Sequence, residues 1–288
     1  MKFGTYFAYW ENEWAADYAY YCKKVAQLGF DVLEVAAGGL VDLSDDELEH
    51  IKAEAKLNHV KITSCIGLPK HYNVASLDEN VRRAGVAYVK RIIDAMDKVD
   101  SRTLGGIIYA YWPADYTVPI NKTEEKKQSI KSVRELAEYA QRYEITLALE
   151  TVNRFEQYLF NDAKEAVAFV KEVDMPNVKV MLDCFHMNIE EDHLGDAIRA
   201  TGNYLGHFHI GEANRKVPGK GHMPWDEMGQ ALRDIQYQGC VVMEPFVKMG
   251  GTVGQDIKVF RDLSNEADEK TMDSNIAESL LFVKSKFV

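Results

Sequence analysis

Along the chain, short runs rich in β-branched and aromatic residues alternate with longer stretches in which apolar residues return every third or fourth position. The short runs fit half-buried or fully buried strands and the longer stretches fit amphipathic helices. Strands are predicted over residues 2–9, 31–35, 60–66, 104–109, 145–150, 178–183, 205–210 and 240–244. Helix signals fall between them. Ser44 with Glu47 has the spacing of a capping box, and Leu43 and Leu48 stand where a hydrophobic staple would set the entry angle. Ser76 with Glu79, and Asp162 with Glu165, repeat that spacing. Within residues 129–142, Ile130, Val133, Leu136, Ala137 and Ala140 make one apolar face. Gly29 follows the helix that carries Val25 and Ala26, where a left-handed residue is wanted.

Strand–helix alternation favours parallel pairing, and eight such units close into a (β/α)8 barrel. The expected fold is therefore α/β, a single barrel domain over residues 1–288. A doubly wound open sheet alternates in the same way, but it announces its ligand with a Gly-rich first turn. Here the first strand leads into WENEWAADY. Only the stretch 211–225, GEANRKVPGKGHMPW, is long and turn-rich, which places it in a loop over a strand end.

Charge narrows the field of function. With 34 basic and 45 acidic residues the net charge is −11, which repels nucleic-acid backbones and anionic lipid heads. The start, MKFGTYFAYW, has no basic segment followed by an apolar one, and no run of apolar residues is long enough to span a bilayer, so a cytoplasmic protein is expected. Cys22, Cys65, Cys184 and Cys240 lie far apart with no CxxC pair, so free thiols are expected rather than a zinc knuckle or a disulfide framework.

In a barrel, chemistry collects at the C-terminal ends of the strands. There the fifth predicted strand ends in Glu150, the sixth in Asp183 and the eighth in Glu244, while the seventh carries His209. A single acid at a strand end usually caps a loop or joins an ion pair. Four ligand-type residues from neighbouring strands, with no Lys or Arg at the matching ends, point instead to a cation. Oxygen donors with one imidazole suit Mn²⁺, with Co²⁺ and Mg²⁺ as alternatives, whereas zinc sites carry more His or Cys. Arg154, Glu156, His186, Glu212 and Arg215 follow these strands, each as readily a loop or ligand-supporting residue as a substrate contact. His207 shares a strand face with His209 nearer the barrel floor and reads as core or supporting; His50, His59, His71, His193 and His222 read as surface or structural. Tyr6, Trp14, Tyr109, Tyr111 and Trp112 cluster near the ends of strands one and four. The proline in YAYWP makes that segment a loop whose aromatics could cover a sugar ring.

The segments MKxGxYxAYWExEW, ExxNRFE, DxFHMNIEED, HxGExNRxVPGKG and MEPFVxMGGTVGxxIKVxRDxSxxAD together resemble the D-psicose (D-allulose) and D-tagatose 3-epimerases, ketose 3-epimerases of the xylose-isomerase-like barrel superfamily. The resemblance implies a metal-dependent barrel that inverts C3 of a free ketohexose and assembles as a homodimer or homotetramer. It implies Glu150, Asp183, His209 and Glu244 as metal ligands, with Glu150 and Glu244 also exchanging the proton, and Glu156, His186 and Arg215 around O1 to O3 of the ketose. Tyr6, Cys65, Ile66, Ile107 and Trp112 are expected to line the end that holds C4 to C6, where few polar groups are foreseen, and Trp14 and Gly67 complete the substrate-binding set. Four positions depart from the family pattern: Cys184, Ile210, Ile107 and His222.

Related readings reuse the same residues. An aldose–ketose isomerase or an inosose dehydratase would keep the metal site. A DNA-repair endonuclease barrel would need more His ligands and a basic groove, and a non-catalytic sugar-binding protein has no use for a metal flanked by carboxylates.

Overall fold

Eight parallel strands close into a barrel in chain order: β1 (Lys2–Tyr6), β2 (Val32–Ala36), β3 (Lys61–Cys65), β4 (Thr103–Gly106), β5 (Thr146–Thr151), β6 (Val178–Asp183), β7 (Leu205–Ile210) and β8 (Cys240–Met243). Pairing of Lys2 with Cys240 through Thr5 with Met243 closes the ring. The computed structural model describes all 288 residues. Helices Tyr18–Gln27, Asp45–Leu57, Glu79–Lys98, Lys122–Gln141, Ala163–Val173, Leu194–Thr201, Trp225–Asp234 and Glu269–Phe287 follow the strands in turn. Covered on both faces, the strands are buried along nearly their whole length rather than alternating; every residue of β2 is buried. No helix is long and apolar enough to cross a membrane.

The local signals act as the residue types require. Ser44 and Glu47 form the reciprocal capping box of Asp45–Leu57. Asp162 caps Ala163–Val173 by accepting from the Glu165 N–H at 2.6 Å. Ile130, Val133, Leu136, Ala137 and Ala140 are the buried face of Lys122–Gln141. Gly29 has φ +88°, as its place beyond a helix end demands.

Three expectations need correction. The first strand is shorter than 2–9, because Phe7–Tyr9 turn into a 3-10 helix. The helix beginning near residue 79 is capped by Asp78, which accepts from the Asn80 N–H at 2.8 Å; Ser76 Oγ accepts from the Asp78 N–H instead. The fourth strand stops at Gly106, not 109. Gly106 has φ +104° and packs so tightly that a Cβ there would lie 2.2 Å from the Ile66 carbonyl oxygen. The chain then leaves the ladder, and Tyr109 and Tyr111 are buried rather than displayed. Tyr109 donates its hydroxyl to the Glu150 carbonyl at 2.9 Å and stacks on Phe160 with centroids 4.1 Å apart. These two tyrosines support the barrel wall and leave Trp112 as the aromatic of that segment facing the cavity.

Candidate active site

Strand register brings the acids together. Asp183 ends β6 directly beside His209 on β7, and Glu150 stands one strand away on β5. Glu150, Asp183 and His209 each offer a ligand atom within 4.8 Å of the others. Glu244, just past β8, places Oε1 3.3 Å from His209 Nδ1. Asp183 Oδ1 accepts from the Phe185 N–H at 2.9 Å, so the other oxygen is left to the site.

The donors are incompletely satisfied. Asp183 Oδ2 and His209 Nδ1 are buried without hydrogen-bond partners. Such groups cost free energy unless a cation or a hydrogen bond meets them. Burial first, and then the charges of Glu244 and Asp183, push the Glu150 carboxyl well above the usual carboxylate range, against the opposing effect of His209. Three carboxylates and one imidazole, with an orphaned oxygen and an orphaned nitrogen among them, fit a divalent cation of the oxygen-preferring kind.

Beneath this cluster lies a residue the sequence reading missed. Glu34, in the middle of β2, is fully buried and extends across the barrel interior to β7. Its Oε1 takes a very short hydrogen bond from His209 Nε2. Its Oε2 accepts from Thr63 Oγ1 at 2.8 Å and lies 2.8 Å from His207 Nε2, in a contact off the line of a good hydrogen bond. Burial opposes ionisation of Glu34, but the two imidazoles outweigh it and hold the carboxyl below its usual value. Burial likewise opposes protonation of His209, and Glu34 with Glu244 raises it well above the usual imidazole range. The only sequence signal was a charge inside an otherwise apolar strand. His207 is fully buried, as foreseen.

Above the cluster opens a cavity of about 570 Å³, a size that suits a small ligand. Its lining includes Tyr6, Trp14, Cys65, Gly67, Ile107, Trp112, Glu150, Glu156, His186, Arg215 and Glu244; Asp183 and His209 are buried below it. Gly67 is required where it stands, because a Cβ would meet Trp112 at 2.9 Å. Burial, followed by the surrounding carboxylates, pushes the Cys65 thiol well up. The far end is less apolar than expected: Asp42, Tyr88 and Asp256 also face the cavity, and Asp256 accepts from Trp14 Nε1 at 2.7 Å.

On one wall the polar residues are linked in series. Trp112 Nε1 donates to Glu156 Oε2 at 2.7 Å, and Asn153 Nδ2 reaches Glu156 Oε1 at 3.1 Å. Asn153, which sequence reasoning did not single out, donates its backbone N–H to His186 Nδ1 at 3.3 Å. An acceptor at Nδ1 leaves the proton on Nε2, which lies 3.7 Å from Glu150 Oε1 and 3.6 Å from Asp183 Oδ2. Arg154 takes no part; it is exposed and pairs with Glu190.

Residues 22–263 match the xylose isomerase-like TIM barrel family. The chain is 52% identical, over 98% of its length and 96% of the relative's, to a D-psicose 3-epimerase of Ruminiclostridium cellulolyticum. The chain belongs to the ketose 3-epimerase family. Its structure is similar to that of a D-psicose 3-epimerase crystallised in the presence of D-fructose (TM-score 0.98, 50% identity, 100% and 99% of the two chains). It is equally similar to D-psicose 3-epimerase with D-tagatose from Clostridium cellulolyticum H10 (TM-score 0.98, 52% identity, 100% and 99%). An isomerase-class enzyme is therefore the identity of this barrel.

Against the epimerase pattern, three of the four departures lie away from the cavity. Cys184 is buried with Sγ 3.1 Å from the Gly211 carbonyl, Ile210 is fully buried, and His222 is exposed. Ile107 alone faces the cavity. Glu212 proves to be a loop clamp: it accepts from the Gly219 N–H at 2.7 Å, the Met223 N–H at 3.1 Å and Trp225 Nε1 at 2.9 Å. The 211–225 segment of the enzyme is thereby fixed over the barrel mouth, with Arg215 at φ +62°.

Proposed function

We propose that the protein inverts C3 of free ketohexoses, interconverting D-fructose with D-psicose and D-tagatose with D-sorbose, with Mn²⁺ as the favoured metal and Co²⁺ or Mg²⁺ as alternatives. The observation that carries this reading is a pair of carboxylates, Glu150 and Glu244, which enter one cavity from β5 and from beyond β8 with two strands between them. The names of the relatives, D-psicose 3-epimerases crystallised with D-fructose or D-tagatose, support the substrate class.

Glu150, Asp183, His209 and Glu244 would hold the divalent ion. Bound there, it would polarise the ketose carbonyl as a Lewis acid and offset the negative charge that develops as the C3 proton leaves. A ketose chain laid between Glu150 and Glu244 meets a carboxylate on each face of C3. One removes the proton and the other delivers one to the opposite face, and the roles exchange with the direction of reaction. Glu150 is buried, so its carboxylate meets C3 away from bulk water. His186 offers its Nε2 proton to O2, Arg215 adds positive charge beside it, and the Trp112–Glu156 pair orients the hydroxymethyl end. Assembly into dimers or tetramers belongs to the same proposal, and sedimentation of the purified protein gives the count.

The test is incubation with D-fructose, D-psicose, D-tagatose and D-sorbose plus Mn²⁺, with products resolved by chromatography. Each ketose should yield its C3 epimer. An aldose product would instead assign an aldose–ketose isomerase, and an enol absorbance a dehydratase.

A further inference from the structure

Glu34 and His209 sit on strands that are not neighbours. β2 and β7 are separated by β8 and β1, so the contact between their side chains crosses the interior of the barrel. Glu34, His207 and His209 are all fully buried, and a charged carboxylate in such a place is costly unless its lone pairs are used. Here they are used. One oxygen takes the His209 Nε2 bond, and the other receives the Thr63 hydroxyl and stands 2.8 Å from His207 Nε2. With Nε2 of His209 committed to Glu34, its Nδ1 is the nitrogen left without a partner, on the side of Glu244.

We propose that Glu34 is a positioning residue for the metal centre: by binding His209 Nε2–H across the barrel, it fixes the ring so that Nδ1 presents its lone pair to the cation. The proposal rests on the metal site described above. A ligating imidazole is oriented, and its basicity raised, by the group that holds its other nitrogen, and losing that partner typically costs about 10–100-fold in metal affinity. Glu34 touches neither the substrate cavity nor the predicted ligand atoms other than through His209, so its influence should show first in metal binding. The Thr63 hydroxyl holds the second carboxylate oxygen, which stops the group rotating away from His209.

The experiment uses the full chain, stripped with a chelator and titrated with Mn²⁺ by calorimetry, in wild type, Glu34→Gln and Glu34→Ala, with folding checked by circular dichroism. Gln keeps an acceptor but loses the charge, and the expected weakening of Mn²⁺ binding is about 10-fold; Ala removes the anchor, and about 100-fold is expected. Should the variants fail to fold, ¹⁵N-histidine NMR of the Mg²⁺-loaded wild type decides alone: His209 should carry its proton on Nε2 and none on Nδ1. Folded variants that bind Mn²⁺ as tightly as wild type, or a wild-type ring protonated on Nδ1, would overturn the positioning role while leaving the metal site standing. A wild type that takes up no Mn²⁺ would instead overturn the metal site, and this role with it.

Discussion

Arg215 Nη1 lies 3.3 Å from Glu244 Oε2, a contact that ties the clamped loop after β7 to the carboxylate just beyond β8. The same guanidinium packs 3.5 Å from the centroid of the Phe185 ring, so a cation–π contact holds it on its other side. Glu244 is therefore an oriented carboxylate rather than a free surface acid, and Glu150 is its buried counterpart across the cavity.

From that pairing, Glu150→Gln and Glu244→Gln should each lower kcat by about 10²–10⁴, because an amide neither takes nor returns the proton. Steady-state kinetics with Mn²⁺ occupancy measured on the same samples separates proton transfer from metal loss. A variant with bound metal and near wild-type kcat would remove its residue from the mechanism.

The metal-free protein should lose stability as pH rises. Glu150 is raised above its ordinary value of 4.5 and His209 above its ordinary 6.5, so both groups hold protons in the fold that the unfolded chain has released. Their contribution is complete below those ordinary values and is lost as pH climbs through the folded ones. Added Mn²⁺ takes the place of the protons and stabilises by mass action, increasingly so at higher pH. Thermal denaturation across neutral to alkaline pH, with and without Mn²⁺, should show Tm falling in the first series and a widening gap between the two.

Glu212→Ala should destabilise the protein by about 1–3 kcal/mol, because it strands donors of Gly219, Met223 and Trp225 that the carboxylate now accepts. Since the same loop carries Arg215, KM for the ketose should rise as well. Denaturant midpoints and KM together check this; an unchanged KM would mean that the loop holds Arg215 without Glu212.

Ile107→Ala should change the ratio of kcat/KM for D-fructose to that for D-tagatose, within the about 1–3 kcal/mol that shape discrimination supplies, and leave Mn²⁺ affinity unaltered. The side chain faces the cavity beside the tight Gly106–Ile66 crossing. An unaltered ratio would assign Ile107 to packing alone.

The barrel was legible because each strand is an apolar run bounded by helix signals, and the acids were legible because Glu150, Asp183 and Glu244 interrupt such runs at their ends. What escaped depends on contacts between distant residues. Glu34 lies 175 residues from His209, and in a strand buried on both faces no alternation marks which side chains enter the barrel interior. Asn153 escaped because its role is set by the His186 ring, 33 positions away. The tyrosines of YAYWP were misplaced because the bend at Gly106 turns them inward, and that bend follows from the close approach of Ile66.

The most direct test of the two-carboxylate account is the fate of the C3 proton. Purified protein with Mn²⁺ and D-fructose in deuterated water should give D-psicose with deuterium at C3 and the carbonyl still at C2, read by NMR on the separated sugar. D-psicose whose C3 hydrogen came wholly from the substrate, or deuterium found only at C1, would contradict proton exchange between Glu150 and Glu244.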